Sequence, residues 1–177
     1  MFVRLSKAVM VLGLAAFALL VTYNNLFDYE ANYQFVRHVL SMDTTFEGNA
    51  AMGRAITDPR LWQAGYWAII VGEGLTGLLL LLGGLRLLQK SGARLDDFHA
   101  AKTLTMAGAV LAFLVWFVGF MVIGGEWFLM WQSETWNGQQ AAFRFYVSIL
   151  LVTILVLQPD TELKKHKNVR RKSRLLD

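Results

Sequence analysis

Four long apolar runs, Leu5–Tyr23, Leu61–Leu85, Leu104–Trp131 and Ala141–Leu157, alternate with polar connections along the chain. At a helical rise of ~1.5 Å per residue, each crosses or nearly crosses a hydrocarbon core ~30 Å thick, so each predicts a transmembrane helix. The fold class this implies is an all-α membrane protein: an up-down bundle of four transmembrane helices with an extra amphipathic helix in the first outer loop. The spans fall at about 5–23, 61–85, 104–131 and 141–158, within a domain of residues 1–160. Residues 161–177 read as a basic cytoplasmic tail, expected to be flexible.

The extra helix comes from periodicity inside the long connection Asn24–Arg60. Tyr29, Phe35, Val36, Val39 and Leu40 fall near one face, with Glu30, Gln34, Arg37 and His38 toward another. Such a helix lies on the outer membrane surface or over the bundle mouth. Asp43–Thr44–Thr45 supplies cap chemistry, and Asp58–Pro59 is a start signal for the second span. Trp62, Tyr66 and Trp67 sit where an interfacial aromatic belt belongs.

Charge sets the expected orientation. With the N-terminus inside, Arg4, Lys7, Arg86, Lys90, Arg94, Lys102, Lys164, Lys165, Lys167, Arg170, Arg171, Lys172 and Arg174 are cytoplasmic, 13 of the 17 basic residues. Only Arg37, Arg54, Arg60 and Arg144 lie outside or at the outer edge. Both termini are therefore expected in the cytoplasm. The first run continues past Ala15, Ala16 and Ala18 with no small-residue cleavage site, so it reads as a retained helix. The net charge of +4 comes mostly from the cluster Lys164–Arg174, whose expected partners are anionic lipid headgroups. No aromatic residues interleave with those charges, which argues against a nucleic-acid partner.

Glu73, in Gly72–Glu73–Gly74, is the one acidic residue deep in an apolar run. Counted from Trp62 it lies roughly 16 Å along its helix, near the bilayer middle. An isolated charge there costs ~3 kcal/mol on insertion scales, so it must be protonated, paired or wet. Two readings stay open: a structural lock between helices, or a site of transport or ligand binding. The neighbouring Gly72, Gly74 and Gly77 permit close helix approach and favour the lock. The expected partner is Arg144, the lone basic residue inside a spanning run, so that Glu73 and Arg144 form an intramembrane polar pair joining the second and fourth helices.

The second outer connection, from Gly124 to Gln140, holds three tryptophans, two glutamates and a run of amides and hydroxyls. Continued helix through Gln132 would put Trp127 and Trp131 on one face, and Asn137–Gly138 is a turn signal into the fourth span. This is either an interfacial belt with amides satisfying helix ends, or a recognition surface. The stretch Phe35–Phe46, with Gly125–Glu126–Trp127, Trp131–Gln132–Ser133 and Trp136–Asn137–Gly138–Gln139, resembles a bacterial family of predicted small integral membrane proteins whose function is undefined. The resemblance, over roughly Asn24 to Leu157, implies four spans and a bacterial membrane, here expected to be the cytoplasmic one, and carries no activity with it.

The chain has no cysteine, which excludes disulfides, thiolate metal sites and cysteine nucleophiles. None of His38, His99 and His166 lies in a span, arguing against a buried bis-histidine haem. His38, Asp43 and Glu47 offer one histidine only, so no metal is expected. No phosphate loop or nucleophile elbow appears, no cofactor is predicted, and catalysis is not expected. The favoured reading is a non-catalytic accessory or assembly subunit of a larger bacterial membrane complex. It would dock another membrane protein through its outer loops, with Arg37, His38, Asp43, Glu126, Trp127, Trp131, Gln132, Trp136, Asn137 and Gln139 as candidate contacts. The alternative is a small transporter or a lipid- or quinone-binding protein using Glu73 and Arg144. Glycine-rich helix faces also permit association of like copies.

Overall fold

The computed structural model describes residues 1–162, so the expected lipid-binding cluster Lys164, Lys165, Lys167, Arg170, Arg171, Lys172 and Arg174 lies outside the described residues. Helix α1 spans Phe2–Phe27, α2 Tyr29–Ser41, α3 Pro59–Gln89, α4 Leu95–Ala100, α5 Thr103–Ala112 and α6 Gln139–Leu157. Helix α5 runs without a break into a π-helical stretch, Phe113–Trp127. Four of these units are long and apolar enough to cross a membrane: α1, α3, Leu95–Trp127 and α6. Among the described residues there is no strand. The four-helix architecture with an added amphipathic helix is as the hydrophobic pattern predicts.

Helix α3 is the central element, with α1 on one side and α5 on the other. Glycines set how closely they approach. A methyl at Gly84 would stand 3.2 Å from Leu12 N, and one at Gly83 would stand 2.8 Å from Thr105 N. Helices in lipid gain little from burying apolar area against one another, so such close contact is what holds them together. Helix α1 presents Ala8, Val11, Ala15 and Ala18, all fully buried, at the i, i+3, i+7 spacing of one face. The start of α3 follows its signals: Pro59 takes the first position and the Asp58 carboxylate accepts from Arg60 N at 2.9 Å.

The start of α1, the residues just after α6 and the α4 connection meet at one end, here the terminal end; α2 and the longer connections cap the other, the loop end. At the terminal end lies a buried ionic clasp that the pattern of charges does not reveal. Lys7 Nζ is 3.0 Å from Asp160 Oδ1 and Lys102 Nζ is 2.6 Å from Oδ2, and the Asp160 side chain is only 1% exposed. Both ammoniums also donate to the Gln158 carbonyl. Arg4 is buried too, donating to the carbonyls of Ala93 at 2.7 Å and Thr161 at 2.9 Å, with its guanidinium over the Phe98 ring. Within the connection Gln89–Lys102 the chain folds α4, whose Phe98 is fully buried against α1. Apolar Phe98 explains this: Leu95 stays half-buried while Phe98 is drawn into the core, with the Arg4 and Lys102 cations against its ring.

Burial raises the Asp160 carboxyl, but its hydrogen bonds to Lys102 and Lys7 outweigh that, and the group titrates below its ordinary range. A folded value lowered in this way gives stability that is complete above the unfolded value of ~3.9 and is lost as pH falls through the folded one. Asp160→Asn leaves two buried ammoniums without a counter-charge and should cost about 3 kcal/mol at neutral pH. Unfolding in detergent micelles should show that deficit, shrinking toward zero as the wild type is acidified.

Candidate functional site

Glu73 is 2% exposed, on α3. Its partner is not Arg144. Asn25 Nδ2, near the end of α1, donates to Glu73 Oε2 at 2.6 Å, and no other donor among the described residues reaches the carboxyl. Arg144 is exposed and turns back along its own helix, its Nε donating to the Gln140 carbonyl at 3.3 Å. The expected intramembrane pair is therefore absent, because Arg144 lies on the outward face of α6 while Ala142 and Ile149 take the inward one. Asn25 is fixed in turn by Tyr66, whose hydroxyl donates to the Asn25 carbonyl at 2.7 Å. Tyr66 is 2% exposed and so belongs to this network rather than to an interfacial belt. Because the carboxyl meets α1 only two residues from that helix's end, it lies nearer the loop-end boundary than counting from Trp62 suggests.

Glu73 lines a cleft of about 290 Å³. Asn24, Asn25 and Asn32 stand toward its rim, with Gly138 and Ala141 at the start of α6. Its walls are aromatic: Phe35, Tyr66, Trp116, Phe120 and Phe145. Trp116 and Phe145 meet edge to face at 5.8 Å, and Phe35 stacks on Phe120 at 6.0 Å. No lysine, arginine or histidine is among the lining residues. An adjoining groove of about 380 Å³ between α2, α3 and the π stretch is almost wholly apolar and shares Phe35, Val36, Ile69 and Phe120 with the cleft.

The π stretch positions two of these walls. Its wider turns place Trp116 and Phe120 on the cleft side, and Trp116 is 1% exposed. Long π-helical runs are rare, and short ones concentrate at functional sites. It ends where Phe128 N donates to the Ile123 carbonyl at 3.0 Å, and Leu129 follows with φ 53°. The third span thus stops at Trp127 instead of continuing to Gln132, and Met130–Gln132 forms a separate 3₁₀ turn. Trp127 and Trp131 consequently do not share a helix face.

The two loop-end connections lock to each other over the cleft. His38 Nδ1 lies 2.9 Å from both Asp43 carboxylate oxygens, and its ring stacks on Trp136 at 4.8 Å and 12°. Gln132 Oε1 accepts from Phe46 N and Asn49 Nδ2, both at 3.1 Å. Thr44 donates to Ser133 at 2.9 Å, and Arg54 donates to the Trp127 carbonyl while lying over that indole. Arg37 holds Gln34 and sits over Trp62. Asn137 accepts from Gln139 N, capping α6 from Gly138 as the turn signal predicts. Of the candidate docking residues, His38, Asp43, Gln132 and Trp136 are thus occupied inside the molecule. Glu126, Trp127, Trp131 and Asn137 remain exposed. Among the described residues, no three histidine or acidic side chains converge to hold a metal.

Asn25 and Tyr66 are the site residues that the sequence reading passes over. The one available signal is that Asn24–Asn25 are amides at the close of an apolar run, within side-chain reach of the next helix.

These features define a four-span membrane protein with a polar-floored, aromatic cleft at one end. The family model for predicted small integral membrane proteins (DUF2165) matches residues 3–159, and the chain belongs to that family. No curated protein and no solved structure matches it.

Because the Trp136 indole covers His38 and also meets Phe35, Trp136→Ala should unlock the two connections from each other. Trypsin cleavage at Arg54 should then quicken several-fold in micelles while helix content by circular dichroism stays the same. An unchanged cleavage rate would show that this stacking does not hold the connections together.

Proposed function

We propose that this protein binds a small organic molecule in the loop-end cleft, with Glu73 as the polar anchor. The observation that carries the reading is a carboxyl 2% exposed in a spanning helix, held by a single amide and facing an aromatic-walled hollow without any basic residue. A purely structural lock would be expected to use all of its polar capacity on protein partners, since unmet polar groups are costly in an apolar setting. Pockets of this size, mostly apolar with a few convergent polar groups, are typical small-molecule sites. Arg144 has no part in it.

The basic residues Arg4, Lys7, Arg86, Lys90, Arg94 and Lys102 all stand at the terminal end, which supports placing that end in the cytoplasm and the cleft on the opposite side. The bacterial cytoplasmic membrane is the setting this reading assumes. A second reading, an accessory subunit docking another membrane protein, is favoured by Trp127 and Trp131, 55% and 47% exposed beside the capping connections.

Native mass spectrometry of the protein taken from its membrane in nanodiscs separates the two. The binding reading expects a defined small molecule in the wild type, lost in Glu73→Gln with the helices intact. A stoichiometric protein partner, released by Trp131→Ala, with no small molecule present, would favour the accessory reading instead.

A further inference from the structure

We infer that the cleft selects an organic cation, a substituted ammonium carried on an apolar body; this rests on the cleft being a binding site at all. Three observations converge on that class. The anchor is an acid whose sole donor among the described residues is the neutral amide of Asn25, so no cation among them offsets it. The walls are aromatic, with Trp116, Phe145, Phe120 and Tyr66 lining the same cleft as the carboxyl, and aromatic rings attract cations most strongly where water is scarce. The remaining polar groups near the rim are the amides of Asn24 and Asn32, which solvate an entering charge without repelling it. Arg144, the basic residue within the fourth span, is turned away on the outer face of α6. An anionic ligand would find no counter-charge here. A neutral one would leave the carboxyl to be protonated or hydrated, so a cation is the class that matches its ionised form.

Nothing covalent is required. The ammonium replaces its water shell with one carboxylate and several ring faces, while its apolar body lies against Phe35 and Ile69, toward the adjoining groove.

The test uses the full chain in nanodiscs of zwitterionic lipid, so that the bilayer itself gathers no cations. Two probes of equal shape are compared, benzyltrimethylammonium and its uncharged isostere neopentylbenzene, each corrected for binding to empty nanodiscs. The expected result is saturable binding of the cation at least about tenfold tighter than the isostere, a difference of about 1.4 kcal/mol. Glu73→Gln should remove that preference by weakening the cation while leaving the isostere unchanged. Equal affinity for both probes, or a preference that survives in a folded Glu73→Gln protein, overturns the cation assignment and leaves the cleft standing as a site. Binding of neither probe also overturns the assignment, and the small molecule found or missing in native membranes then judges the binding reading separately. The wild-type comparison is decisive even if Glu73→Gln does not fold.

Discussion

A carboxyl group carried into a spanning helix must find protons, partners or water, and the loop-end half of this molecule is arranged around that requirement. Glu73 finds one partner, Asn25, at the end of α1. Tyr66 then fixes Asn25 from α3 itself, so the last turns of α1 and the first half of α3 are tied at two points. That tie keeps the carboxyl near the boundary, where α2 and the start of α6 leave room for the cleft. Glycines on α3 bring α1 close at Gly77 and Gly84 and α5 close at Gly83, while aromatic side chains line the cleft at the loop end.

The two ends treat charge in opposite ways. At the terminal end, the Asp160 carboxylate meets Lys7 and Lys102 at hydrogen-bond distance, and Arg4 spends its donors on main-chain carbonyls. The three buried cations Arg4, Lys7 and Lys102 are all partnered there, and the apolar layer of Val11, Leu80, Leu87 and Phe98 lies directly against them. At the loop end, one acid faces a hollow with a single amide donor. A paired ionic clasp beneath an open, underpaired cleft is an arrangement suited to receiving a ligand from one side. It does not by itself provide a path through the bundle, since Ala18, Ala112, Trp116 and Ile149 form a buried layer between the two ends.

Much of the fold was legible because span length and helical periodicity are properties of single segments. The four spans, the amphipathic α2 and the Asp58–Pro59 start all follow from local pattern. What failed depended on which helix faces meet. Glu73 and Arg144 are complementary in sequence, but the face of α6 that turns inward carries Ala142 and Ile149. Asn25 reads as a boundary amide, and Lys7 and Lys102 read as ordinary inner-side charges, until packing brings Glu73 and Asp160 to them. The π stretch abandons the period on which the third span was read, so its end and the placement of Trp127 and Trp131 shifted with it. The docking surface contracted for a related reason: polar and aromatic side chains expected to face a partner face the opposite connection instead.

The central claim is that water and solutes reach the Glu73 cleft from the loop end alone. The chain has no native cysteine, so a single one reports cleanly. Val21 lines the cleft one turn below Asn25, and Ala15 is fully buried farther toward the terminal end. Thiols react as hydrated thiolates, so a membrane-impermeant methanethiosulfonate reagent distinguishes wet from dry positions. The account predicts that Val21→Cys is modified by reagent on the loop side and not by reagent on the terminal side, with Ala15→Cys inert from both. Val21→Cys inert to the loop-side reagent would contradict it, leaving Glu73 as a sealed structural group.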